Sequence, residues 1–157
     1  MRTALAALLA VQALCGLGAS AADAVQPFSQ SGAIARVLAA PELAALPLVG
    51  EPDAILSPVA TLLRRPIYFV NADRTGTFTV FKKRDHAFNP AHLAERLSVP
   101  GPVLWLTNRP FRDDDPAIGA ANLAGVPVQW KRLAVTDDAI RADERYWLYE
   151  LRRAPLK

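Results

Sequence analysis

The chain is 157 residues long, with 52% hydrophobic and 21% charged residues and a formal net charge of +3. That composition excludes a disordered or low-complexity chain and fits one domain able to bury its core without metals or disulfides. Apart from Arg2, 17 basic residues face 15 acidic ones, so a pI near 9.4 carries no argument for a nucleic-acid partner.

The first element is an apolar leader. No charge interrupts the chain between Arg2 and Asp23, and Ala4 to Leu14 forms its most apolar part. Ala19-Ser20-Ala21 offers the small residues a signal peptidase reads, with Arg2 and the α-amine as a minimal basic flank. A lipoprotein reading would centre on Cys15, but Leu14 stands where a small residue is needed. The same stretch is long enough to span a bilayer, although Gln12 and its many Ala and Gly residues weaken insertion. Cleaved signal and membrane anchor therefore both stay open for residues 1–24, and both export residues 25–157 to the extracytoplasmic (in a bacterium, periplasmic) side. Cys15 is the lone cysteine, so that exported domain has no disulfide, thiolate nucleophile or cysteine metal site.

Thirteen prolines punctuate the remainder. Ser31 is placed to cap a helix whose Ile34, Val37 and Leu38 share a face, and Pro41 restarts it through Leu46. Leu48-Val49-Gly50 reads as a short buried strand. Ser57-Pro58 reads as a helix N-cap with proline at the first helical position, closed by Arg64-Arg65 and Pro66. Ile67 to Val70 is an apolar strand, Asp73 to Gly76 a turn, and Thr77 to Phe81 an alternating strand. Asn89-Pro90 opens a helix through Leu97, and Val103 to Leu106 is the clearest central strand. Asp115-Pro116 is expected to start a third helix closed by Gly125. Strands around Val128 to Val135 and Arg145 to Leu151 are expected at the sheet edge. This order predicts an α/β fold: an open three-layer sandwich with a mostly parallel sheet and antiparallel edge strands, preceded by one apolar helix.

Chemical signatures are sparse. His86 and His92 lie six apart without metal-ligand spacing, so they read as solvent-exposed side chains. No serine sits in a G-x-S-x-G elbow, and no glycine-rich phosphate loop follows a strand. Asp113-Asp114-Asp115 contains a D-x-D, better explained as acids facing a helix N-terminus, and Lys82-Lys83-Arg84 as a solvated loop with lipid headgroup contact second. Trp130, Tyr146, Trp147 and Tyr149 read as core and edge packing. One constellation remains. Ligands of open α/β sheets gather at the carboxyl ends of strands, and those ends carry Asp53, Asn71, Asp73, Arg74, Asn108 and Arg109. These are the candidate ligand-binding residues; no metal or cofactor is expected.

Several stretches also carry a resemblance: Pro27-Phe28-Ser29, Leu48-Val49-Gly50 with Asp53, Ser57-Pro58-Val59-Ala60, Arg65-Pro66-Ile67-Tyr68, Gly76-Thr77-Phe78, and Val103 through Pro110. Together they cover most of residues 25 to 151. The chain resembles the C-terminal, extracytoplasmic end of bacterial polytopic membrane proteins similar to glycosyltransferases that use lipid-linked sugars, of the protein mannosyltransferase and aminoarabinose transferase kind. The resemblance implies that residues 3 to 22 are the last transmembrane helix of such an architecture, raising the anchor above the cleaved signal. It transfers no catalytic residue, because that family's catalytic acid lies in an early loop with no counterpart here. The implied function is a non-catalytic extracytoplasmic accessory domain, a tail piece or a stand-alone relative, with a membrane or polytopic membrane protein as partner and a lipid-linked sugar as ligand. The alternatives are a transferase completed by a partner's membrane helices and a small secreted hydrolase or transferase using His86 or His92 as base.

Overall fold

The structure, a computed structural model, describes residues 2–25, 27–78, 87–111 and 116–155. It opens on α1 (Arg2–Val25), a helix exposed along its described length. Thr3–Val25 is long and apolar enough to cross a membrane. The other helices are α2 (Ser31–Leu38), α3 (Pro41–Ala44), α4 (Asp53–Leu63) and α5 (Pro90–Arg96). The strands are β1 (Leu48–Glu51), β2 (Ile67–Phe69), β3 (Arg74–Gly76), β4 (Val103–Thr107), β5 (Ile118–Leu123), β6 (Val126–Thr136) and β7 (Tyr146–Arg153).

The strands form one seven-stranded sheet in the order β3-β2-β1-β4-β7-β6-β5. Only β1–β2 and β1–β4 pair in parallel; the other four pairings are antiparallel. The expected mostly parallel sheet is therefore corrected, although both edge strands, β3 and β5, are antiparallel as expected. The reason lies in the connections. Parallel neighbours need a long crossover, usually helical, and α4 and α5 supply two. After β4 the chain folds as short antiparallel returns. Consequently β6 and β7 are interior strands, not the edge.

Side-chain alternation divides the sheet into two apolar faces. Ile34, Leu38, Leu56, Val59 and Ala60 of α2 and α4 cover Leu48, Ile67, Phe69, Leu104, Leu106 and Leu148. On the other face, Leu93 and Leu97 from α5 and its C-cap pack with Val49, Tyr68, Trp105, Val128, Trp130, Tyr149 and Leu151. All four late aromatics pack in these clusters, as the sequence suggested. Gly50 permits a close approach inside the core: a Cβ there would lie 2.4 Å from both the Leu106 carbonyl oxygen and Leu56 Cδ1.

Several local expectations change. Ser31 is the first residue of α2 rather than its cap, and its N–H donates to Ser29 Oγ at 3.1 Å. Ser57-Pro58 lies inside α4, which begins at Asp53; Ser57 Oγ donates to the Asp53 carbonyl at 2.6 Å. Pro52, as N-cap, and Asp53 in the first turn supply a helix start that Ser57-Pro58 mimics one turn late. Asp73 adopts a left-handed conformation, and the strand begins directly at Arg74, where a turn was expected. Of the expected Thr77–Phe81 strand, Thr77 and Phe78 lie beyond β3 and the rest falls outside the described residues, as do Lys82-Lys83-Arg84, His86 and Asp113-Asp114-Asp115.

The expected third helix is instead β5. Its residues alternate between exposed and half-buried, and Leu123 pairs with Val126 across Ala124-Gly125. Both turn residues have positive φ, 48° and 87°, the requirement of a two-residue type I′ hairpin. Gly125 thus turns a hairpin rather than closing a helix. The Asn89 expectation holds: its side chain accepts the Ala91 N–H at 3.0 Å and caps α5.

Candidate functional site

The carboxyl ends of β1 and β4 lie side by side, since Glu51 pairs in register with Thr107. From β1 the chain turns into α4, which packs on one face; from β4 it runs through Phe111, which packs on the other. Divergent exits of this kind open a crevice beyond the strand ends, where α/β proteins bind ligands. A cleft of about 490 Å³ occupies this position, lined by Glu51, Trp105, Thr107 and Arg109 with Phe88 and Phe111 among its apolar walls.

Glu51 is the unusual residue. It ends a strand buried along its whole length, and its side chain is only 7% exposed. Arg109 Nη2 donates to Glu51 Oε1 at 2.8 Å, and the Arg109 side chain is itself 65% exposed. Among the described residues Glu51 Oε2 has no protein hydrogen-bond partner, and it is not fully enclosed, so water reaches it. Burial raises the Glu51 carboxyl above its ordinary value, and the Arg109 guanidinium pulls partly the other way.

The aromatic wall is fixed by packing. Trp105 lies between Phe88, at 5.9 Å between ring centres, and Phe111, edge-on at 6.4 Å. Phe111 also stands edge-on to Trp130 at 5.0 Å, and its N–H donates to the Tyr149 hydroxyl at 3.1 Å. Trp105 is 2% exposed, and its indole N–H has no acceptor among the described residues. A buried donor without a partner is costly.

The other expected site residues fall into separate groups. Asp53, Asn71 and Arg74 converge: Asp53 N–H donates to Asn71 Oδ1 and Asn71 Nδ2 to Asp53 Oδ1, both at 3.2 Å, and Arg74 Nη2 reaches Asp53 Oδ2 at 3.3 Å. Arg74 also donates to the Phe78 carbonyl and lies over the Phe69 ring. This group ties the start of α4 to the β2–β3 turn. Asp73 belongs to a second group. It accepts the Tyr68 hydroxyl at 2.6 Å, which holds its carboxyl below the ordinary range, and its other oxygen lies 4.0 Å from His92 Nε2. Asn108 turns away to donate to the Asp143 carbonyl at 3.2 Å. Of the six, only Arg109 lines the cleft.

His92 is not the free surface imidazole expected. Its Nδ1 lies 3.0 Å from the Val70 carbonyl, an acceptor only, so that nitrogen carries the proton. Its Nε2 then accepts from Asn89 Nδ2 at 3.1 Å. The Nδ1 bond holds α5 to the turn after β2, and the Nε2 bond closes back on the N-cap of α5 itself.

No family model, curated protein or solved structure matches this chain. The cleft must therefore be read from its own residues. Glu51, Trp105, Phe88 and Phe111 were not among the sequence candidates. One local signal existed: an ionisable residue closing an apolar strand immediately before Pro52.

Proposed function

We propose that this chain is a membrane-tethered, non-catalytic binding domain on the extracytoplasmic side, whose cleft at the ends of β1 and β4 receives a polar ligand. The carrying observation is the buried, singly bonded Glu51 beside an exposed Arg109 in an aromatic-walled hollow. Glu51 is otherwise enclosed, and its second oxygen, which the protein leaves to solvent, is a place where a ligand can take over from water. The fully exposed apolar α1 supports the tether. The resemblance described above suggests a lipid-linked sugar as ligand and a polytopic membrane protein as partner. A hydrolase using His92 as base is the weaker reading, because both of its nitrogens hold bonds within the domain; His86, the other candidate base, lies outside the described residues.

Cell fractionation with mass analysis of the N-terminus tests the tether: an intact chain beginning at Met1 in the membrane fraction is expected. A soluble chain beginning at Ala22 overturns it. Binding is tested by screening sugars, amino acids and phosphomonoesters against the Trp105 indole N–H resonance. A resonance that no compound moves overturns the binding reading.

A further inference from the structure

The cleft presents its two charged groups unequally. Glu51 sits deep with one oxygen bonded to Arg109 and the other open to solvent, while Arg109 bonds it through a single nitrogen and keeps most of its side chain in solvent. A singly charged ligand is attracted by one member of this pair and repelled by the other. A neutral hydroxylated ligand exchanges bonds with water for bonds of similar worth. A ligand with a cation and an anion a few bonds apart meets both members with the right sign. In a partly desolvated cleft that complementarity is worth more than in water.

The walls agree with this pattern. Phe88, Trp105 and Phe111 gather beside the buried carboxylate, and aromatic rings beside an acid form a favourable seat for an ammonium group. The Trp105 ring lines the cleft, while its indole N–H is enclosed and lacks an acceptor among the described residues. A volume of about 490 Å³ falls in the range of small-molecule sites.

Resting on the binding role proposed above, but replacing the sugar that the resemblance suggests, we infer that the ligand is a small zwitterion: a primary ammonium directed to Glu51 and a carboxylate or phosphate directed to Arg109. A free amino acid and a zwitterionic lipid headgroup share this chemistry.

The test is titration of the full chain in maltoside micelles, read at the Trp105 indole N–H. The probes are L-leucine, O-phosphoethanolamine and dihexanoyl phosphatidylethanolamine, against leucinamide, ethanolamine, inorganic phosphate and methyl glucoside. At least one zwitterion should bind tenfold or more tightly than every control, and E51Q and R109Q should each lose at least tenfold of that affinity. A response confined to L-leucine assigns a free amino acid; one confined to the phosphoethanolamines, with the lipid form tighter, assigns a headgroup. Retained methyl-region spectra show that the variants still fold. Should a variant fail that check, the wild-type comparison of zwitterions with singly charged controls decides. Methyl glucoside, leucinamide, ethanolamine or inorganic phosphate binding as tightly as the zwitterions overturns this inference and leaves a binding cleft. Silence with every probe overturns both.

Discussion

Replacing Gly50 by alanine probes a close contact between β1, β4 and α4. The new methyl carbon would lie 2.4 Å from the backbone oxygen of Leu106 and from Leu56 Cδ1, both inside the buried core. Overfilling a packed core costs about 1–3 kcal/mol. Alanine returns roughly 0.5–1 kcal/mol by restricting the unfolded chain. The net loss is therefore about 1–2 kcal/mol, which for a domain of this size lowers Tm by roughly 4–8 °C. Gly50 also precedes Glu51 in the strand, so a shift of β1 against β4 should disturb the 2.8 Å contact with Arg109. Differential scanning calorimetry measures the first effect, and a double-mutant cycle with Leu56→Ala separates its sources. If Leu56 alone obstructs, the double variant is less destabilised than the two single losses added together; if the Leu106 carbonyl obstructs, the losses add. A Gly50→Ala protein melting within 1 °C of the parent would refute the reasoning.

Two further outcomes follow from single residues. Because burial holds the Glu51 carboxyl above its ordinary value of 4.5, the folded state binds that proton more tightly than the unfolded one. Its stabilising contribution is complete below pH 4.5 and is lost as pH rises through the folded value. E51Q should remove this dependence, so the Tm difference between wild type and E51Q should move against wild type from pH 4 upward; a constant difference would contradict it. Ala124→Asn should stabilise the β5–β6 hairpin by about 1 kcal/mol, since the residue holds a positive φ of 48° that asparagine accepts more readily than alanine. Urea denaturation measures it, and a lower midpoint would count against the turn assignment.

The elements easiest to read in the sequence were those whose neighbours agree with them. Val103 to Leu106 is apolar without a break because both faces of β4 are covered. Asn89-Pro90 announces α5 because cap and first-turn proline act locally. Misreadings arose where a local signal had two uses. Ser57-Pro58 satisfies the pattern of a helix start yet sits in the middle of α4, and Gly125 suits a helix end as well as a hairpin. Sheet polarity was hidden for a different reason, since it depends on partners chosen across the chain. The cleft was hidden likewise. Arg109 was visible as a strand-end cation, but Glu51 is 58 residues away, and spacing carries no trace of that pairing.

The short stretch after α1 is laced into the domain rather than hanging from it. Phe28 N–H bonds to Asp23, the Pro27 carbonyl accepts the Ile140 N–H at 3.1 Å, and Gln30 N–H donates to the Glu144 carbonyl at 3.1 Å. The Arg141 guanidinium lies over the Phe28 ring. The fastening is on the domain's side of the junction: Pro27, Phe28 and Gln30 are held to the β6–β7 loop and the entry to β7, and β7 lies directly against β4. The segment that follows the helix is thus anchored one strand away from β4, whose Trp105 lines the cleft.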